Sequence, residues 1–80
     1  MTNSTQCFKL GQLLPHGAIQ EITDTINEKI EKGKLQFPKP VTYQLVYRTM
    51  NGVVRKMKPM NEQVVKEAKK ILLANEIPLP

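Results

Sequence analysis

Apolar residues recur at helical spacing in two stretches of this chain. Ile19, Ile22, Ile26 and Ile30 follow one another at intervals of three and four, with Ala18 on the same face. That period marks an amphipathic helix with one buried stripe. Pro15 suits a first helical position, where its missing N–H leaves nothing unpaired. Glu21 and Asp24 lie early, where the helix dipole favours acids; Glu28 and Lys32 form an i,i+4 pair; Gly33 supplies a stop. A helix is predicted over residues 16–32. A second is predicted over 61–75, where Val64, Val65, Ala68, Ile71 and Leu72 make one stripe. Asn61 reads as its N-cap and Asn75 as its end, with Pro78 and Pro80 barring continuation. Between them "GKLQFPKP" (33–40) is a connector, pinned to the body by Leu35 and Phe37, because Pro38 and Pro40 force extended backbone before them. Residues 1–7 read as loose and polar. "FKLGQLL" (8–14) is apolar but interrupted by Gly11, and is compatible with a strand, a helix or an arm on a partner. The chain divides into an arm over 1–14, a domain over 15–75 and a tail over 76–80.

One stretch, "VTYQLVYRTMNGVVRKM" (41–57), supports two readings. As a β-hairpin, Val41, Tyr43, Leu45, Tyr47 and Thr49 alternate against Thr42, Gln44, Val46, Arg48 and Met50, and Asn51-Gly52 is a strong two-residue turn signal. As a helix, Thr42 caps the start and Val41, Leu45, Val46 and Met50 face inward. Tyr43 and Tyr47 then stack one turn apart, as do Gln44 and Arg48. Asn51-Gly52 becomes a stop, since both residues accept the left-handed conformation. The first reading makes an α+β fold with a 41–57 hairpin. The second makes a small all-α bundle.

Charge adds direction to this choice. Eighty residues carry a formal net charge of +5. From Gly33 to Met60 there are six cations (Lys34, Lys39, Arg48, Arg55, Lys56, Lys58) and no acid, whereas residues 15–32 carry four acids and two lysines. A one-sign block of this kind suits a polyanion. Cys7 is the only cysteine and His16 the only histidine, so neither an internal disulfide nor a Cys/His zinc site is expected. Cys7 reads as an inert thiol, His16 as a residue capping or packing near a helix start, and Met50, Met57 and Met60 as packing. With no leader pattern at the N-terminus and no apolar run of membrane-span length, a cytoplasmic location is expected. A chain this short is often marginal alone, which favours self-association.

"VTYQLVYRTMNG" resembles the recognition helix of lactose-repressor-type helix-turn-helix domains, whose pattern is V-S-Y-x-T-V-S-R-V-x-N-G. The matching positions are Val41, Tyr43, Val46, Arg48, Asn51 and Gly52, with Thr42 in place of Ser. "AIQEITDTIN" is similar to that family's first helix and "NEQVVKEAKKIL" to the helix that packs behind. "LPHGAIQEI" is similar to the start of small helix-turn-helix proteins of phages and bacterial mobile elements. The resemblance spans roughly residues 14–75 and selects the all-α reading, a helix-turn-helix bundle with an elongated connector before the recognition helix. Two departures stand out. Thirteen residues, Glu28 to Pro40, separate Asn27 from Val41 where the family has a tight turn, and Tyr47 stands where the family commonly has Ser.

The resemblance implies a non-enzymatic double-stranded DNA-binding protein, encoded by a phage or mobile element and acting in transcription or replication in the host cytoplasm. A recognition helix points its N-terminal part at base edges, so Tyr43, Gln44, Tyr47 and Arg48 are the expected base contacts: Gln pairs with adenine, Arg with guanine. Thr42, Lys34, Lys39, Asn51, Arg55, Lys56 and Lys58 are the expected phosphate contacts. Six cations on phosphates give a log–log salt slope near −5, at ~0.9 per contact. The family's separate dimerisation domain has no counterpart among these residues. A homodimer or higher homo-oligomer is therefore expected, using "FKLGQLL" and "EIPLP" to line up along DNA. No cofactor, membrane or small-molecule substrate is expected. No nucleophile–His–carboxylate set and no Gly-rich phosphate loop points to catalysis. The alternative is a small adaptor or inhibitor of a nucleic-acid enzyme that uses the basic hairpin.

Overall fold

The computed structural model describes residues 4–79, and within them every regular element is a helix: α1 (Ser4–Leu13), α2 (Ala18–Glu31), α3 (Tyr43–Met50) and α4 (Pro59–Ala74). The 41–57 hairpin is therefore absent, and the all-α expectation holds. Local β-propensity loses here to tertiary burial. In the helical register Val46 and Met50 reach the core, whereas a two-stranded ribbon has no sheet to lie on.

The core is one cluster built from all four helices: Cys7 and Leu10 of α1, Ile22 and Ile26 of α2, Val46 and Met50 of α3, and Val64, Val65, Ala68 and Leu72 of α4. The spacing that predicted the stripes of α2 and α4 thus marks buried positions, with Ile19, Ile30 and Ile71 at the margin. Leu35 and Phe37 are half-buried, so the connector is held down as expected. Met57 and Met60 pack against the cluster, and Ile77 joins it from beyond α4. A radius of gyration of 11.7 Å equals the roughly 11.6 Å of a compact 80-residue domain.

Several expectations are corrected. Residues 4–13 are not an arm: α1 packs against α3 and α4 and buries Cys7 and Leu10; residues 1–3 lie outside the described part. Gly11, read as an interruption, lies where α1 closely approaches Met50 at the end of α3. A Cβ there would run into the carbonyl oxygen of Met50 and stand 3.0 Å from its carbon. α2 begins at Ala18 rather than 16, because residues 15–18 form a turn closed by the Ala18 N–H donating to the Pro15 carbonyl (3.1 Å). Gly17 takes φ 84°, ψ −3° there, the third position of a type II turn, and His16 is exposed rather than capping. Asn61 is not the N-cap of α4. Lys58 is, with Pro59 following, and Asn61 sits three residues in, where its Oδ1 accepts from the Lys58 N–H (3.0 Å).

Helix ends repeat one device. After α2, α3 and α4 the chain passes through a left-handed residue (Gly33 φ 77°, Gly52 φ 71°, Glu76 φ 57°). In each case the next N–H returns to the last turn: Lys34 to Lys29, Val53 to Arg48 and Ile77 to Leu72. These are Schellman stops. Asn51-Gly52 is such a stop, with Gly52 alone left-handed and Asn51 at φ −97°.

Candidate nucleic-acid interface

α3 is short, eight residues, and short helices are marginal without tertiary support. Its support comes from α1, α2 and α4. Thr42 caps it, accepting from the Leu45 N–H (3.1 Å). Val41, just before it, is clasped by Asn27 of α2: the Asn27 amide donates to the Val41 carbonyl (2.9 Å) and the Val41 N–H donates to Asn27 Oδ1 (2.7 Å). At its far end the Gly11 backbone abuts Met50. Beneath it runs a buried polar chain. The Asn61 amide donates to the Thr49 hydroxyl (2.9 Å), which donates to the Leu45 carbonyl (2.8 Å). Thr49 and Asn61 are both buried, and no buried side-chain polar atom among the described residues lacks a partner.

The thirteen residues between Asn27 and Val41 now have a physical account. They complete the last turn of α2, stop at Gly33, run through the proline connector and return to Asn27. The detour returns the chain to α2 at the start of α3.

What this seating leaves open is the outer face of α3. Tyr43, Gln44, Tyr47 and Arg48 are all exposed. The tyrosines are 50% and 53% exposed, with rings 6.5 Å apart between centroids and inclined by 16°. They form one strip, and Gln44 and Arg48 form the next strip around the helix. An open groove of about 390 Å³ runs beside this second strip. Thr42, Gln44 and Arg48 line it from α3, Lys56 and Lys58 from the segment before α4. The less exposed Leu45, Val54 and Asn61 complete it.

Of the eleven expected contacts, five meet in this groove. Lys34, Lys39 and Arg55 are exposed on loops and do not line it. Asn51 is exposed, but its side-chain amide donates to the Tyr47 carbonyl (2.7 Å), serving the helix end. None of the six cations of residues 33–60 forms an ion pair with a described residue.

On α2 and α4 three lysines, Lys29, Lys32 and Lys70, are neutralised. Glu67, whose side chain is 4% exposed, takes Lys29 at 2.6 Å and Lys70 at 3.3 Å. Burial pushes its carboxyl up, but the hydrogen bonds from Lys29 and Lys70 and their charges prevail and hold it below the usual range. The bond to Glu67 raises Lys29 in return. Glu28 is lowered by its hydrogen bond to Lys32 on the surface of α2. Sequence reasoning assigned no part to Glu67; a Lys and a Glu 38 positions apart carry no local signal of pairing. Burial raises the Cys7 thiol, which fits an inert cysteine.

Among the described residues no three His, Cys, Asp or Glu side chains could jointly hold a metal, and no helix is long and apolar enough to cross a membrane. No protein-family model matches the chain, and neither the curated proteins nor the solved structures contain a significant match to it.

Proposed function

We propose that this chain is a non-enzymatic double-stranded DNA-binding protein that presents α3 to the major groove and regulates transcription or replication, several copies assembling along the duplex. The observation that carries the reading is the outer face of α3: four exposed side chains able to meet bases or phosphates, continuous with a groove holding three cations that no acid offsets. A helix seated on three neighbours and bare on its fourth side has the form needed to enter a groove about 12 Å wide. The pattern "VTYQLVYRTMNG" lends the same reading its sequence support.

A salt-titrated mobility shift on random and selected duplexes tests it. With the three groove cations on phosphates, the log–log slope is expected near −3, at ~0.9 per contact. The double variant Gln44→Ala/Arg48→Ala is expected to bind at least about tenfold more weakly. Absence of duplex binding by the wild type at about 50 mM salt overturns the DNA reading, and undiminished binding by the double variant removes α3 as the contact. Sedimentation with and without DNA tests assembly, which a strict monomer in both conditions rules out.

A further inference from the structure

α3 carries two exposed strips, and their surroundings differ. Gln44 and Arg48 line the groove with Lys56 and Lys58; Tyr43 and Tyr47 do not. The groove's polar groups are almost all donors. Arg48, Lys56 and Lys58 have no acceptor to offer at neutral pH. Thr42 Oγ already accepts from the Leu45 N–H, which leaves its hydroxyl hydrogen for an outside acceptor. Asn61 Oδ1 is occupied by the Lys58 N–H and its amide donates to Thr49. No carboxylate lines the groove. A base edge in the major groove presents donors and acceptors in mixed order, whereas a phosphodiester presents only acceptors and a negative charge.

We propose that this groove is a phosphodiester cradle, in which Gln44 and Arg48 hold backbone oxygens together with Thr42, Lys56 and Lys58, leaving the Tyr43–Tyr47 strip to face the bases. The cradle rests on the DNA reading for its ligand's source. It departs from the sequence expectation, which sent all four side chains to base edges. Bound in this way, one strand's backbone runs between α3 and the 53–58 segment. Arg48 then contributes affinity without sequence preference, and discrimination falls to two aromatic rings able to pack on thymine methyls.

Two measurements on the full chain test this. In the first, amide chemical shifts are followed as inorganic pyrophosphate is added. Shifts concentrated at Thr42, Gln44, Arg48, Lys56 and Lys58 are expected; shifts of equal size at exposed lysines of other faces, such as Lys9 and Lys66, overturn the cradle. In the second, duplex affinities are compared across salt and sequence. Arg48→Ala is expected to make the log–log slope less negative by about 0.9, and Lys56→Ala/Lys58→Ala by about 1.8. In both, the ratio between preferred and random duplexes stays unchanged. Tyr43→Ala/Tyr47→Ala is expected to lower that ratio toward one and leave the slope in place. An Arg48→Ala variant that keeps its slope and loses its sequence preference puts Arg48 on a base and overturns the assignment. If pyrophosphate maps to the groove while no duplex binds, the cradle stands and the DNA reading is what fails.

Discussion

Two grooves of similar size lie on this molecule, about 300 Å³ between α2 and α4 and about 390 Å³ beside α3. The charges lining them are arranged in opposite ways. The first holds Glu21 and Glu67 with Lys29 and Lys70, two of each sign, and Glu67 draws both lysines to itself. The second holds Arg48, Lys56 and Lys58 and no acid. One groove is closed electrostatically by its own side chains, and the other requires counterions or a partner. A chain of net charge +5 could have spread its excess evenly. Lys29, Lys32 and Lys70 are paired with acids, whereas all six cations of residues 33–60 are left without one among the described residues. Net charge alone describes solubility, whereas uncompensated charge in a concave place describes a site.

The contrast can be broken most directly by reversing the α3 groove. Lys56→Glu/Lys58→Glu is expected to weaken duplex binding by about 100-fold or more at low salt, through lost contacts and like-charge repulsion, with thermal stability unchanged. Lys70→Glu, in the other groove, leaves binding intact in the same mobility shift. A second route is to unseat one wall. Gly11→Ala forces a methyl into the Met50 carbonyl, and overpacking of that kind costs about 1–3 kcal/mol. Urea unfolding reads the loss, and α1 must shift from α3 to relieve it. Glu67→Gln sharpens the comparison from the other side. It keeps the shape, removes the charge that neutralises Lys29 and Lys70, and is expected to lower stability by about 1–2 kcal/mol while strengthening non-specific duplex binding.

Acid separates the grooves without mutation. Glu67 titrates below its ordinary value of 4.5 in the folded chain. Its contribution to stability is therefore complete above that value and lost as pH falls through the depressed one. No carboxylate lines the α3 groove, so acid has no such partner to neutralise there. Thermal unfolding followed from neutral pH downward should show a decline that Glu67→Gln flattens. The smallest expected effect is Lys34→Ala. Lys34 is exposed on the α2–α3 connector and does not line the α3 groove, so the salt slope should stay within about 0.3 of wild type, well short of one contact.

The stripes of α2, α3 and α4 were legible because burial repeats at a fixed local period. Val46 and Met50, or Val64, Ala68 and Leu72, announce a face without knowledge of what covers it. α1 was not legible because Gly11 has opposite meanings in isolation and in place. Along the sequence it weakens a helix; against Met50 it permits contact that alanine would block. The exposure of Tyr43, Gln44, Tyr47 and Arg48 could be read from the helical register. Which cations gather beside them could not. Lys56 and Lys58 share a groove with Arg48 where Asn61 ties the start of α4 to Thr49, a bond across twelve positions that no periodicity encodes. Asn61 was also misplaced as an N-cap, since Pro59 at the first helical position moves the start two residues earlier.

The clasp between Asn27 and Val41 has a consequence for how this chain can vary. Two hydrogen bonds fix where the excursion over residues 28–40 begins and ends, so the start of α3 is held on α2 by those bonds. Doubling a flexible loop costs only about 0.6 kcal/mol. Changes in length are therefore expected to be tolerated at the exposed positions of this stretch, Lys34, Gln36, Pro38 and Lys39, with Leu35 and Phe37 keeping it on the body. An insertion there is expected to leave stability nearly unchanged, which urea unfolding of the variant checks. Variation confined to that stretch alters what the loop carries while the neighbouring helix stays where it is.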